Sequence, residues 1–272
     1  MHLLKWAAVA ACLTAMPALA DERMAGPELP GGAWEDIRDA ILPEVEIAEA
    51  GEAIALEAPY RAHDAAAVPV RLRIDPGEGR EARTLVLIVD ENPAPVAATF
   101  EITPAMGHVI ELSTRLRVNA YSNIRAVVEL DDGSWMQTAR YVKASGGCSA
   151  PATSDPVAAE AALGKMKMRL FGAPEQTADG RLEAQVMIRH PNNSGFQIDQ
   201  VTQLYVPARF VDRITVRQGD QVILAMEGGI SLSEDPSLRF RFASAGDGPL
   251  EVTAEDTDGA TFSGLFPLEP AF

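Results

Sequence analysis

Short apolar runs with a period of two, each closed off by Pro, Gly, Asp or Asn, recur along almost the whole chain. That pattern constrains the fold most. VPVRLRI at 68–74, TLVLIVDEN at 84–92, VAATFEI at 96–102, HVIELSTRLRV at 108–118, NIRAVVEL at 123–130 and SWMQTARYV at 134–142 are rich in β-branched and aromatic residues. A second series follows: KMKMRLF, LEAQVMIRH, LYVPARFVDRITVRQ, QVILAME, SLRFRFA, PLEVTAED and TFSGLFPL. Regular short strands with such punctuation predict an all-β protein built from two β-sandwiches of similar size. DDGS at 131–134 is a hairpin signal between the last two strands of the first series. The one helical pattern precedes the strands: GGAWEDIRDAIL, from Gly31 to Leu42, places Trp34, Ile37, Ile41 and Leu42 on one face and ends before Pro43.

Between the two series, residues 145–160 lose apolar periodicity and gain Gly, Ser, Thr and Pro, which predicts a linker. The first residues, MHLLKWAAVAACLTAMPALADER, combine one Lys, a short apolar run and Ala18-Leu19-Ala20 ahead of Asp21. This is the pattern of a secretory signal peptide cleaved after Ala20, with a run too short to span a bilayer. A lipoprotein reading would acylate Cys12, but the apolar character continues beyond it. The expected division is therefore 1–20 signal peptide, 21–148 first sandwich, 149–161 linker and 162–272 second sandwich, in a periplasmic protein without a membrane anchor.

The chain has a formal charge of −16. Lys5 is the one Lys or Arg in the first twenty residues, so cleavage leaves 22 basic residues against 39 acidic, or −17. That balance argues against nucleic acid and anionic membranes, both of which demand basic surface, and permits docking to a basic protein patch.

Chemistry-bearing patterns are sparse. His63, His108 and His190 lie far apart without metal-ligand spacing, and Met166 and Met168 alternate with Lys165 and Lys167 as on a half-buried strand. No G-x-S-x-G, H-E-x-x-H or P-loop pattern occurs, and EDTDG at 255–259 lacks the full EF-hand ligand series. Asp131 and Asp132 read as turn residues rather than an acid/base pair. No metal or cofactor is expected, and the chain is not expected to be an enzyme.

Cys148 stands apart. With Cys12 in the leader it is the one thiol of the remaining chain, so an intrachain disulfide is not expected. It follows Gly146 and Gly147 six residues after Val142, on a segment that can reach at most about 20 Å. The glycines predict a flexible hinge that leaves the thiol exposed. Without a neighbouring base in sequence beyond Arg140 and Lys143, its pKa is expected near about 8.5. A nucleophilic enzyme needs a local activator, whereas a carrier takes one from the enzymes it visits.

These residues sit in a wider resemblance. APYRAHDAAAVPVRLRI, VDENPAPVAATFEI, STRLRVN and the strand leading to Gly146-Gly147-Cys148 resemble SoxY. RHPNNSG at 189–195, VPARFVDRITVRQGDQVI at 206–223 and SEDPSLRFRF at 233–242 resemble SoxZ. The chain thus looks like a fused SoxYZ-type sulfur carrier of the kind associated with quinoprotein dehydrogenases. The resemblance implies immunoglobulin-like sandwiches with a SoxY–SoxZ interface inside one chain. It also implies a sulfur intermediate held covalently on Cys148, and periplasmic sulfur-metabolising or quinoprotein dehydrogenase-linked enzymes as partners. Two departures stand out. SoxY ends freely in GGCGG, whereas here Ser149, Ala150, Pro151 and a whole domain follow, and Asn192-Asn193 replace the Met-Glu usual in SoxZ. The competing readings are an accessory subunit of a quinoprotein dehydrogenase system whose thiol is a relic, and a thiol redox protein. The lack of a resolving cysteine counts against the latter.

Overall fold

The computed structural model describes residues 33–42, 44–151, 156–171 and 179–268. The expected signal peptide lies outside the described residues, as do Gly31, Gly32 and Pro43. The helix α1 spans Ala33–Ile41. The first half then runs β1 (Ile47–Glu49), β2 (Ile54–Glu57), β3 (Val68–Ile74), β4 (Ala82–Val89), β5 (Val96–Ile102), β6 (Ile110–Leu116), β7 (Ser122–Leu130) and β8 (Trp135–Val142). The second half comprises α2 (Pro156–Ala162), β9 (Met166–Phe171), β10 (Leu182–Ile188), β11 (Val211–Gln218), β12 (Gln221–Gly228), β13 (Ser237–Phe242), β14 (Leu250–Asp256) and β15 (Thr261–Phe266).

Alternation decides which face each strand buries. In β3 every second residue from Val68 to Ile74 is buried, and the residues between are exposed. The continuous apolar run of β4 has a different cause: α1 lies over the outer face of its sheet. Ile37 packs there with Val86, Ile88 and Val127, so β4 is covered on both sides. Arg125 follows the same logic. It is buried beneath Trp34, 4.5 Å from the ring centroid, and its Nε donates to Asp90 at 2.9 Å. Between β7 and β8, Asp132 accepts from the backbone and hydroxyl of Ser134 around Gly133, the hairpin that DDGS predicts.

The fold is an immunoglobulin-like β-sandwich, but the two halves share their sheets. One layer has nine strands in the order β1-β8-β7-β4-β5-β12-β11-β14-β15, and the other has six, β2-β3-β6-β13-β10-β9. The halves join where β5 pairs antiparallel with β12, from Ala98↔Gly228 to Ile102↔Leu224. In the second layer β6 meets β13 at Leu112↔Phe240 and Ser113↔Arg239. One hydrophobic core runs through both, from Ile54 to Ala254. Joining edge to edge at both places removes strand edges that each half would otherwise expose. Each half is a β-sandwich as expected, and the two are joined edge to edge, so that their sheets run continuously across the chain.

The segment expected as a linker contains a helix. Residues 152–155 are outside the described set, but Pro156–Ala162, PVAAEAA, forms a helix. Four alanines and a leading proline favour a helix start at this length, and the local composition concealed it. LYVPARF of the second series is likewise not a regular strand, because β11 begins only at Val211.

Candidate functional site

The segment that leaves β8 turns back across the end of the sandwich instead of projecting from it. Gly146 adopts φ +77°, a left-handed conformation that suits glycine, and its N–H donates to Asn119 O at 2.8 Å. The Gly147 N–H donates to Val118 O at 3.0 Å. A Cβ at Gly147 would lie 2.1 Å from Ala65 O and 2.7 Å from Val118 O, so only glycine permits this approach. Val118 in turn donates to Ala65 O at 2.8 Å, so the arm lies against an already pinned pair of segments.

The second half closes the other side. Ser194 Oγ donates a short hydrogen bond to the Cys148 carbonyl, and Ser194 N donates to Gln197 Oε1 at 2.9 Å. Arg117, 1 % exposed, donates from Nη1 to Gly147 O at 3.0 Å and from Nη2 to Asn192 O at 3.2 Å. Asn92 fastens Arg117 from behind, donating to its carbonyl and to Ser231 Oγ, both at 2.8 Å.

Cys148 is consequently 0 % exposed, and burial pushes its thiol up to about 11, opposed only in part by the charge of Arg117. Two expectations are corrected together. The thiol is enclosed rather than exposed, because residues distant in sequence cover it. Gly146 and Gly147 are held by backbone hydrogen bonds in this conformation. The pKa is raised rather than ordinary, and the charge that acts on the thiol is Arg117, not Arg140 or Lys143.

His63 and His108 are exposed, and His108 lies 3.7 Å from Asp75. His190 is different: it is buried, with Nδ1 2.7 Å from Asn192 Oδ1 and Nε2 3.4 Å from Asp256, which Arg209 also holds at 2.9 Å. Asn192, at φ +43°, also accepts from Val211 N at 3.1 Å. The HPNN segment is thus a structural knot that positions the wall behind Arg117. Met166 and Met168 share the half-buried face of β9, with Lys167 exposed between them. Among the described residues no group of three or more His, Cys, Asp or Glu could hold a metal ion, and no helix is long and apolar enough to cross a membrane.

The knot carries a pH signature. Burial holds the His190 pKa below its ordinary value, against the opposing pull of Asp256 and Asn192. Above about pH 6.5 the residue is neutral folded or unfolded; below it, the unfolded chain binds a proton that the folded chain resists. Stability is therefore lost as the pH falls from about 6.5 through the lower folded value. His190→Gln is expected to reduce the drop in urea midpoint between about pH 7 and 5.5 relative to wild type. An identical drop in both proteins would assign the acid sensitivity elsewhere.

Comparison with known proteins gives two family matches in tandem. Residues 38–148 match the sulfur oxidation protein SoxY, and residues 168–266 match the sulphur oxidation protein SoxZ. Among solved structures, the chain is similar to the sulfur carrier protein SoxY from Chlorobium limicola f thiosulfatophilum, at 28 % identity and a TM-score of 0.35. That match covers 41 % of this chain and 91 % of that one. It is also similar to a superoxide reductase (neelaredoxin) from Ignicoccus hospitalis, at 13 % identity and a TM-score of 0.29, over 40 % and 90 % of the two chains. No curated protein matches.

Proposed function

Because the chain belongs to the SoxY and SoxZ families, joined in that order as one fused protein, we propose that it is a periplasmic carrier that holds a sulfur-bearing intermediate on Cys148 and presents it to partner enzymes. The observation that carries this reading is where the SoxY match ends: on Cys148 itself, the one cysteine of the described residues. Forming R–S–S–X from the thiol and a sulfur donor H–S–X releases two protons and two electrons, so the loading enzyme must accept the electrons. The enclosed thiol is then the resting form. Loading begins when the arm lifts off the Val118–Asn119 segment and Ser194, with Gly146 and Gly147 as the joint.

Partners on this reading are periplasmic sulfur-metabolising or quinoprotein dehydrogenase-linked enzymes. The loop after Ser194 presents Val201, Leu204 and Tyr205 to solvent, exposed apolar side chains of the kind that protein partners cover. The SoxZ-like half contributes scaffold and docking surface.

One observation favours a second reading, an accessory subunit of a quinoprotein dehydrogenase system in which the thiol takes no part: the complete burial of Cys148. The mass of intact protein isolated from periplasm without reductant decides between them. The carrier reading expects a fraction heavier by sulfur atoms or a thiosulfonate group, with the adduct mapped to Cys148. Unmodified thiol throughout, under conditions that induce sulfur metabolism, favours the accessory subunit.

A further inference from the structure

The formal charge of −16 is not spread evenly over the molecule. On the outer face of the six-stranded layer, pairing between strands puts Arg71, Ser113, Arg239, Gln185 and Arg169 in one row across β3, β6, β13, β10 and β9. To one side of that row Arg115 lies opposite Pro69 and Lys167 opposite Met187; to the other, Arg73 lies opposite Glu111 and Arg241 opposite Glu183. Glu57, opposite Arg71, is the third acid. Seven basic residues thus share this face with three acidic ones, which leaves 16 basic and 36 acidic residues for the rest of the chain. A face that served solubility alone would carry both signs in balance.

The three carboxylates are already engaged. Glu183 accepts from Arg239 at 2.6 Å, Glu111 accepts from Arg241 at 2.8 Å, and Glu57 meets Arg71 at 3.4 Å with both side chains more than half exposed. Arg115, Lys167 and Arg169 form no ion pair among the described residues. Arg115 donates from Nη2 to the Asp235 carbonyl at 2.9 Å, and its Nε is enclosed without a partner. Arg169 and Arg239 lie over the Phe171 ring, 5.3 and 4.0 Å from its centroid, which restrains both guanidinium groups.

The face also has room for a ligand. Two adjoining grooves of about 450 and 420 Å³ are cut into it, and both have Arg71, Ser113 and Arg239 in their walls. The larger adds Arg115, Gln185 and Ser237, with Pro69 and Met187 beside them. The six strands together span about 24 Å, the scale of a protein contact rather than of a small ion. β3 and β6 come from the first half and β10 and β13 from the second, so neither half alone forms the larger groove.

We propose that this face docks an acidic segment of a partner protein, with carboxylate side chains seated between Arg71, Arg115 and Arg239. Charge complementarity carries the choice. A guanidinium pairs with a carboxylate through two parallel hydrogen bonds, and the acidic remainder of the chain repels an extended polyanion such as a membrane surface or a nucleic acid. The proposal is independent of what Cys148 carries.

Fluorescence anisotropy of a dye-labelled oligoglutamate peptide tests it on the full chain. At about 0.1 M salt, screening over about 10 Å leaves the face within reach of the peptide and mutes the acidic remainder. The wild type is expected to bind the peptide, and Arg71→Gln/Arg115→Gln to weaken binding roughly tenfold or more. Arg213→Gln/Arg217→Gln removes the same charge from β11 in the nine-stranded layer and is expected to leave the affinity within about twofold. Lys167→Gln/Arg169→Gln, at exposed positions of β9, repeats the test if Arg115→Gln impairs folding. No binding by the wild type, or equal weakening in the β11 variant and the groove variant, overturns the proposal. So does binding to phosphatidylglycerol vesicles without binding to the peptide, which would make the face a membrane contact.

Discussion

Near neutral pH the folded protein is expected to react with iodoacetamide at least ~100-fold more slowly than the same chain in denaturant. The ordinary cysteine value of 9.0 rises to about 11 at Cys148, and two units leave roughly a hundredfold less thiolate to attack the reagent. Enclosure adds to this, because the sulfur offers no surface to an approaching molecule. The rate should climb steeply with pH, for a reason that follows from linkage. A folded pKa above the unfolded one stabilises the docked arm fully below about pH 9, and that contribution is lost as the pH rises through about 11. Ser194→Ala removes the donor to the Cys148 carbonyl and should move the neutral rate part of the way toward the denatured one. A native rate matching the denatured rate near neutral pH would mean that the arm spends most of its time undocked.

The same expectation marks where the sequence ceased to be legible. Period-two alternation identifies β3, and Asp-Asp-Gly-Ser identifies its hairpin, because both signals are local and depend on backbone geometry alone. SGGCS is also local, and by itself it reads as an uncovered turn. Its cover comes from Ala65, Val118 and Ser194, up to 83 residues away along the chain, and no spacing rule connects them. Nor did the sequence mark Arg117: in Arg115-Leu116-Arg117-Val118 the alternation places the arginine in solvent, whereas the fold buries Leu116, Arg117 and Val118 alike. A charged residue pulled inward at a strand end signals a tertiary partner.

The shared sheets were hidden for a similar reason. Whether β5 pairs with β12 or stays an open edge depends on registers set across a long stretch of intervening chain, as between Ile102 and Leu224. Both are apolar in either case. The helix Pro156–Ala162 was masked by its neighbours, since Ser and Thr on the preceding stretch dominate the composition even though the alanines favour helix. What remained readable was the chemical singularity of Cys148 and its place at the junction of two series of strands. The conformation of that junction was not.

The two glycines before the thiol look alike in sequence but differ in what they do, and alanine at each should separate the roles. At Gly146 the difficulty is the backbone angle alone: φ is +77°, and the nearest atom to an added Cβ is Ser149 Oγ at 3.8 Å. The strain there is on the order of 1–2 kcal/mol, and the turn can be kept. At Gly147 an added Cβ meets Ala65 O at 2.1 Å and Val118 O at 2.7 Å. Neither carbonyl can rotate away, because Ala65 O is already the acceptor of Val118 N and the whole pair is tied into the sandwich. The arm must therefore leave. Gly147→Ala is expected to bring Cys148 close to the denatured alkylation rate while the sheets keep their circular dichroism. Gly146→Ala should lower stability and leave the thiol largely shielded. Transfer adds the functional contrast: if docking is only the resting state, Gly147→Ala loses protection of a loaded group but still accepts and delivers it. A shielded thiol in Gly147→Ala, or equal exposure in both variants, would show that the contact with Ala65 and Val118 is not what holds the arm.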